Sequence, residues 1–229
     1  MKKIDIIGGI GPESTLDYYR GIIDAFRERG GSDNPDIIVY SADLSELLRL
    51  LEANDPDRLA DWLLARVNAL HRAGADFAAI ASNTPHLVFD RVAKHSPLPL
   101  VSIVEATRAK AEGLGVKRPG LLGTRFTMQA EFFQRPFRKR GMTVLVPSAA
   151  EQQFIHQKLF SEIELGIIKD ETREELLEIV ARMMERDAID SVILGCTELP
   201  LILPAQAHDI PFLNTTAIHV ESIVSYSLE

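Results

Sequence analysis

The sequence predicts an α/β protein built from two similar three-layer α/β domains, each on a parallel-type sheet, facing a central active-site cleft. Three observations carry this. Short apolar runs alternate with longer amphipathic ones, the pattern of βα units with helices on both faces of a parallel sheet. The strand, glycine turn and helix that open the chain recur near its middle. The length of 229 residues accommodates one large domain or two of about 100 residues each.

In chain order, strands are predicted at 3–8 (KIDIIG), 36–41 (DIIVYS), 76–81 (DFAAIA), 98–102 (LPLVS), 118–123 (RPGLLG), 142–146 (MTVLV), 190–195 (DSVILG) and 210–213 (IPFL). These runs are aliphatic and β-branched and end in small or polar residues. Helices are predicted at 12–29, 56–74, 84–95, 103–114, 127–140, 149–165, 171–187 and 214–227. The clearest is 171–187, where Leu176, Leu177, Val180, Met183 and Met184 share one stripe while Arg173, Glu174, Glu175, Glu178 and Arg182 form a solvated face.

The repeat fixes how the elements group. Asp5-Ile6-Ile7-Gly8-Gly9-Ile10-Gly11-Pro12-Glu13-Ser14-Thr15, followed by Tyr18-Tyr19, is echoed by Gly120-Leu121-Leu122-Gly123-Thr124-Arg125-Phe126-Thr127, followed by Phe132-Phe133. Measured from the glycine closing each opening strand, Ser82 and Cys196 lie at 82 − 8 = 74 and 196 − 123 = 73. Residues 1–101 with 208–229 are read as one domain and 102–207 as the other. Ligands of open α/β sheets bind beyond the carboxyl ends of strands, so paired halves place four such ends around one cleft.

Composition excludes several classes. Hydrophobic residues make up 46% and charged residues 25%, as in an ordinary globular protein. The net charge of −8 argues against a nucleic-acid partner or an anionic membrane surface. No apolar run approaches the roughly 18 residues of a membrane helix. Asp5 and the double glycine interrupt the N-terminal apolar stretch too early for a secretory signal, so a cytoplasmic location is expected. One cysteine, Cys196, permits no internal disulfide, and six histidines without an H-x-x-x-H pair argue against a metal site.

The strand ends hold the residues that could carry chemistry. Cys196 precedes Thr197-Glu198-Leu199-Pro200, which can begin a helix; free N–H groups there would lower a thiol pKa and let it act as a base. A lone cysteine is also ordinary packing. Ser82-Asn83-Thr84-Pro85-His86 offers hydroxyls, an amide and turn N–H groups for a carboxylate or an enolate oxygen, or simply caps a helix. The nucleophile-elbow pattern is absent around Ser82. Gly8-Gly9-Ile10-Gly11-Pro12-Glu13-Ser14 lacks the third glycine and the acidic partner of a dinucleotide site, so its glycines are read as admitting a small ligand close to the backbone. Arg125 presents a fork that fits a carboxylate, with Thr124 and Thr127 able to cap the next helix.

Together these words resemble the aspartate/glutamate racemase family: Gly8-Gly9-Ile10-Gly11-Pro12-Glu13-Ser14-Thr15, then Asn83-Thr84-Pro85-His86, Gly123-Thr124 and Gly195-Cys196-Thr197-Glu198 span nearly the whole chain in the family's order. The resemblance implies two cysteines facing a substrate Cα from opposite sides, without metal or pyridoxal phosphate. Cys196 matches the second; Ser82 stands where the first would be. An alkanol hydroxyl is hardly ionised near neutral pH, whereas a thiol with pKa near 8.5 needs little tuning. The resemblance therefore implies a racemase of aspartate and/or glutamate that prefers the L enantiomer, with Cys196 as base and Ser82, or a water it holds, returning the proton. It further implies Ile10, Gly11, Pro12, Glu13 and Ser14 at the substrate, Asn83, Thr84 and Thr197 on the α-carboxylate, Thr124, Arg125 and Thr127 on the side-chain carboxylate, Glu198 on the ammonium group, and a homodimer. Basic matches around Leu47–Arg49 and Leu165 are not evident. Alternatives are a decarboxylase or cis–trans isomerase of a small dicarboxylate, and a non-catalytic binder of acidic amino acids.

Overall fold

The computed structural model describes residues 1–29 and 34–229. They form two compact units, Met1–Ile103 with Thr216–Glu229, and Val104–Thr215.

In the first unit, β1 (Ile4–Gly8) leads into α1 (Pro12–Glu28), β2 (Ile37–Ser41), α2 (Leu44–Glu52), α3 (Pro56–Arg72), β3 (Phe77–Ile80), a 3-10 turn over Thr84–Val88, α4 (Phe89–His95) and β4 (Leu100–Val101). Its sheet is parallel throughout, in the order β2-β1-β3-β4. Ile4 and Ile6 on one face of β1 pack with Tyr18, Ile22 and Phe26 of α1 and with Val220, Ile223 and Val224 of α10 (Thr215–Leu228), the helix that returns to this unit. Burial of each such side chain contributes about 1.5–3 kcal/mol.

In the second unit, α5 (Ile103–Gly113), β5 (Pro119–Gly123), α6 (Arg125–Gln129), α7 (Glu131–Arg138), α8 (Ala149–Ser161), a 3-10 turn over Ile163–Leu165, α9 (Asp170–Asp187), β6 (Ser191–Gly195), a 3-10 turn over Leu199–Leu201, β7 (Gln206–Ala207) and β8 (Ile210–Asn214) succeed one another. The sheet order is β5-β6-β8-β7, with only β7 antiparallel. Its core joins Leu122 and Leu194 of the sheet to Ile155 and Leu159 of α8 and Leu176, Val180 and Met183 of α9.

The repeat extends to hydrogen bonds. Lys3 N–H donates to Asp76 Oδ2 at 2.7 Å, and Lys117 N–H donates to Asp190 Oδ2 at 2.6 Å, each across 73 residues. Both ties hold the start of the opening strand to the start of its neighbour.

Several expectations are corrected. Residues 142–146 form a single bridge rather than a full strand: Leu145 pairs with Gly120, Thr143 N–H donates to Lys117 O at 2.9 Å, and Pro147, which lacks an N–H, closes the run. The expected return to the first unit at 208 comes later, because β8 pairs with β6 and only α10 crosses back. The helix expected over 127–140 is two helices, broken where Ala130 is extended. Segment 84–95 begins as a 3-10 turn rather than an α-helix. Helix α2 is additional; Asp43 caps it by accepting from Ser45 N–H at 2.8 Å. Among the described residues no helix is long and apolar enough to cross a membrane.

Candidate active site

The register sets the strand ends. Ile7 pairs with Ile80 across β1 and β3, and Leu122 with Leu194 across β5 and β6. Ser82 is two residues beyond Ile80 and Cys196 two beyond Leu194, so each unit carries its candidate at the same place in the same strand.

The second-unit tip is crowded. A Cβ on Gly123 would meet the Gly195 carbonyl oxygen at 2.9 Å, and one on Gly195 would meet Leu122 O at 2.9 Å, so both glycines let adjacent strand ends close together. Cys196, Thr197 and Glu198 are all buried. One carboxylate oxygen, Glu198 Oε2, accepts from Cys196 Sγ–H at 3.1 Å and from Thr197 Oγ1–H at 2.8 Å. Burial pushes the Cys196 thiol well above its ordinary value, and the charges of Glu198 and then Glu164 push the same way. This corrects the expected lowering. Beyond Cys196 the chain makes a three-residue 3-10 turn rather than a helix, so no macrodipole opposes burial. The group on hand to take the thiol proton is Glu198.

The sequence does not point to Glu164, which it places inside a helix. Helix α8 instead ends at Ser161, and Gly166 (φ +72°) closes the next turn. Glu164 then lies with Cys196 and Glu198 so that their donor atoms are all within 4.8 Å of one another. Burial, then the Glu198 charge, raises the Glu164 carboxyl to about 7. Such a trio could ligate a cation. A proton on Glu164 and the hydrogen bonds into Glu198 satisfy it equally well without one. A glutamate between Ile163 and Leu165 just before a glycine is the available signal.

The turn that supports Glu164 is stapled. Glu162, at the end of α8, accepts from Lys158 Nζ at 2.5 Å, Lys169 Nζ at 3.0 Å and Thr172 Oγ1 of α9 at 2.6 Å. These partners hold its carboxyl down at about 2, Lys158 first.

At the first-unit tip, Ser82 is half-buried, whereas Asn83, Thr84 and His86 are buried. The Ser82 hydroxyl makes no hydrogen bond among the described residues. His86 Nδ1 donates instead to the Ser82 carbonyl oxygen at 3.0 Å, so the pair is no Ser–His dyad. Burial holds His86 down at about 3 and His219 at about 4, both neutral imidazoles at neutral pH. His219 in turn donates from Nε2 to Val101 O at 3.0 Å and accepts at Nδ1 from Tyr18 O–H at 2.7 Å, locking α10 and α1 to β4.

The glycine turn after β1 is built otherwise than expected. A Cβ on Gly9 (φ +81°) would collide with Ala42 O, and one on Gly8 would collide with Thr15 Cγ2. The spaces beside both glycines are thus filled by protein rather than kept for a ligand. The buried Ser14 hydroxyl donates to Gly11 O at 2.9 Å, which commits it to the turn. Ile10 is buried, while Pro12 and Glu13 are exposed. At the matching turn after β5, Thr124 Oγ1 caps α6 by accepting from Thr127 N–H at 3.2 Å. Arg125 is exposed and has no ion-pair partner among the described residues; its guanidinium lies 5.6 Å from the Phe126 ring centre. Its backbone N–H donates to His156 Nδ1 at 3.3 Å.

Residues 7–223 match the Asp/Glu/Hydantoin racemase family. The chain is 26% identical over 226 residues to the broad specificity amino-acid racemase RacX of Bacillus subtilis, covering 97% of this chain and 96% of that one. A solved aspartate racemase homologue from Pyrococcus horikoshii OT3 superposes with a TM-score of 0.84 at 35% identity, and a candidate Asp/Glu racemase from Yersinia pestis with 0.91 at 33%, each covering both chains completely. The glutamate racemase of Aquifex pyrophilus, 20% identical over 98% of this chain and 83% of that one, shares the fold with a TM-score of 0.68. The chain belongs to the Asp/Glu/Hydantoin racemase family.

Proposed function

We propose that the protein racemises aspartate and/or glutamate without a cofactor and prefers the L enantiomer. The observation that carries this is the equal register of Ser82 and Cys196, one at each unit's central strand end, with a base beside only the thiol. Arg125, free of any ion pair among the described residues, receives the side-chain carboxylate, with Thr124 and Thr127 shaping the turn that carries it. Asn83, Thr84 and the backbone N–H of Thr197 receive the α-carboxylate. The Thr197 hydroxyl is already donated to Glu198.

The proton path comes from the charges. The substrate ammonium group beside Glu198 and Glu164 offsets the negative field that keeps the thiol protonated. The Cys196 proton passes to Glu198 Oε2, and the thiolate removes the Cα proton of the L substrate. The Ser82 hydroxyl delivers its proton to the opposite face and its alkoxide is reprotonated by water, while Glu198 releases to solvent the proton it took from the thiol, so that the site is reset. Among the described residues Ser82 has no base beside it, so an L substrate exchanges its Cα proton at the thiol more readily than a D substrate does at the hydroxyl, and the L preference is one of Cα exchange.

Solvent exchange tests the reading. In deuterated water, Cα exchange of L- and D-aspartate and L- and D-glutamate is monitored by NMR. The L form of at least one acid should exchange faster than its D form. Cys196→Ser should slow this by about 10²–10⁴-fold, the usual loss with a general base. Ser82→Cys should raise exchange from the D side. Binding by calorimetry with no exchange of any form would replace this reading with a non-catalytic binder, and turnover of maleate or an aryl malonate would replace it with an isomerase or decarboxylase.

A further inference from the structure

The His86 imidazole is not explained by packing. The residue is 3% exposed and its ring stacks on Phe89, centroids 4.8 Å apart and 8° from parallel. A phenylalanine would supply the same stack. A carbonyl oxygen only accepts, so Nδ1, 3.0 Å from Ser82 O, carries the hydrogen and Nε2 is left as a bare acceptor. That Nε2 is buried and has no hydrogen-bond partner among the described residues, a cost a phenylalanine would not carry. The contact that sets against this cost is the one to Ser82.

Ser82 needs such a contact. Its hydroxyl is tied to nothing among the described residues, so the backbone sets the Cβ position from which Oγ takes one of the staggered rotamers. Ser82 N–H donates to Ile80 O at 2.9 Å, and its carbonyl is held by His86. The second unit solves the same problem differently. The Cys196 carbonyl accepts from Leu199 N–H at 3.1 Å, and Sγ is itself anchored on Glu198.

We infer that His86 is a positioning residue for Ser82: donation from Nδ1–H to the Ser82 carbonyl fixes where the tip hydroxyl sits as it delivers a proton to Cα. This rests on the racemase reading above. Because burial keeps the imidazole neutral, the donor stays in place across the working pH range.

The test separates two fates of an L substrate in deuterated water: inversion, which uses Ser82, and exchange with retention, which uses Cys196 alone. His86→Phe keeps the stack and removes the donor. Inversion should fall about tenfold or more while retention exchange stays within about threefold, since misplacing a reacting group by about 1 Å can cost on the order of a hundredfold. His86→Asn, whose Nδ2 takes the place of Nδ1, should keep the wild-type ratio of inversion to exchange; His86→Gln, whose amide falls at the Nε2 position, should lose it. The Asn and Gln pair decides the matter if the Phe variant does not fold. An unchanged ratio in the Phe or Gln variant, or equal loss of both rates in a variant that melts like wild type, overturns the proposal. Absence of any Cα exchange in wild type is a separate result, visible before any variant is made, and removes the racemase reading and this proposal together.

Discussion

Replacing Asp5 with asparagine should flatten the dependence of stability on pH between pH 5 and pH 8. Asp5 is the second residue of β1, is 0% exposed, and neither carboxylate oxygen has a hydrogen-bond partner among the described residues. Side chains alternate along a strand, so it points away from the Ile4 and Ile6 face that packs on α1 and α10. Burial, and then the charge of Asp76, raises its carboxyl from 3.8 to about 7. The folded state therefore holds a proton that the unfolded chain releases, and stability falls as pH rises through this window. At about 1.36 kcal/mol per tenfold, the penalty is about 1.6 kcal/mol at pH 5 and about 4 kcal/mol at pH 8. The difference, about 2.5 kcal/mol, corresponds to about 5–10 °C in melting temperature for a chain of this size. Asparagine cannot ionise but is equally buried and unpaired, so comparing the two proteins at both pH values cancels the cost of the neutral polar group. The assay is thermal melting of wild type and Asp5→Asn at pH 5 and pH 8. Parallel pH dependence in the two proteins would refute the argument.

Two further perturbations probe the thiol half. Glu164→Gln removes one of the negative charges that raise Cys196, so the pH midpoint for alkylation of Cys196 by iodoacetamide should move down; a midpoint that stays put or rises contradicts the electrostatic account. Glu162→Gln removes a carboxylate held at about 2 by Lys158, Thr172 and Lys169. A lowered carboxyl contributes stability above its unfolded value of 4.5 and loses it as pH falls toward 2. The variant should therefore melt below wild type at pH 7, with the gap narrowing toward pH 3, and a gap that widens on acidification would exclude the staple.

Much of the fold is legible in the sequence because its signals are local. The runs IDIIG and SVILG are apolar throughout apart from Asp5 and Ser191, as strands covered on both faces must be, and each ends in glycine, Gly195 where neighbouring strands converge and Gly8 where Thr15 of α1 closes in. The repeat alone puts Ser82 and Cys196 at matching strand tips. The hidden part depends on distance in space. Nothing near Cys196 in sequence tells that Glu164 lies within 4.8 Å of it, and without that carboxyl a strand tip looks like a place where thiols ionise easily. Nor does MTVLV announce that its pairing stops at a single bridge, Leu145 with Gly120. Helix α2 is readable in principle, since Asp43 caps a run with Leu44, Leu47, Leu48, Leu50 and Leu51 at helical spacing.

The two units handle protons in different ways on the same frame. In the second, the thiol is hydrogen-bonded to a carboxylate with another beside it, so a proton leaving sulfur has an acceptor at hand. In the first, the hydroxyl has no acceptor among the described residues, and the His86 imidazole is neutral and turned to the backbone. A group without an acceptor can give a proton once and must be refilled from solvent; a group with one can act in both directions. In the proposed reaction this division makes Cα exchange faster from the face that meets the thiol than from the other, while net racemisation, with an equilibrium constant of one, keeps the same kcat/KM in both directions.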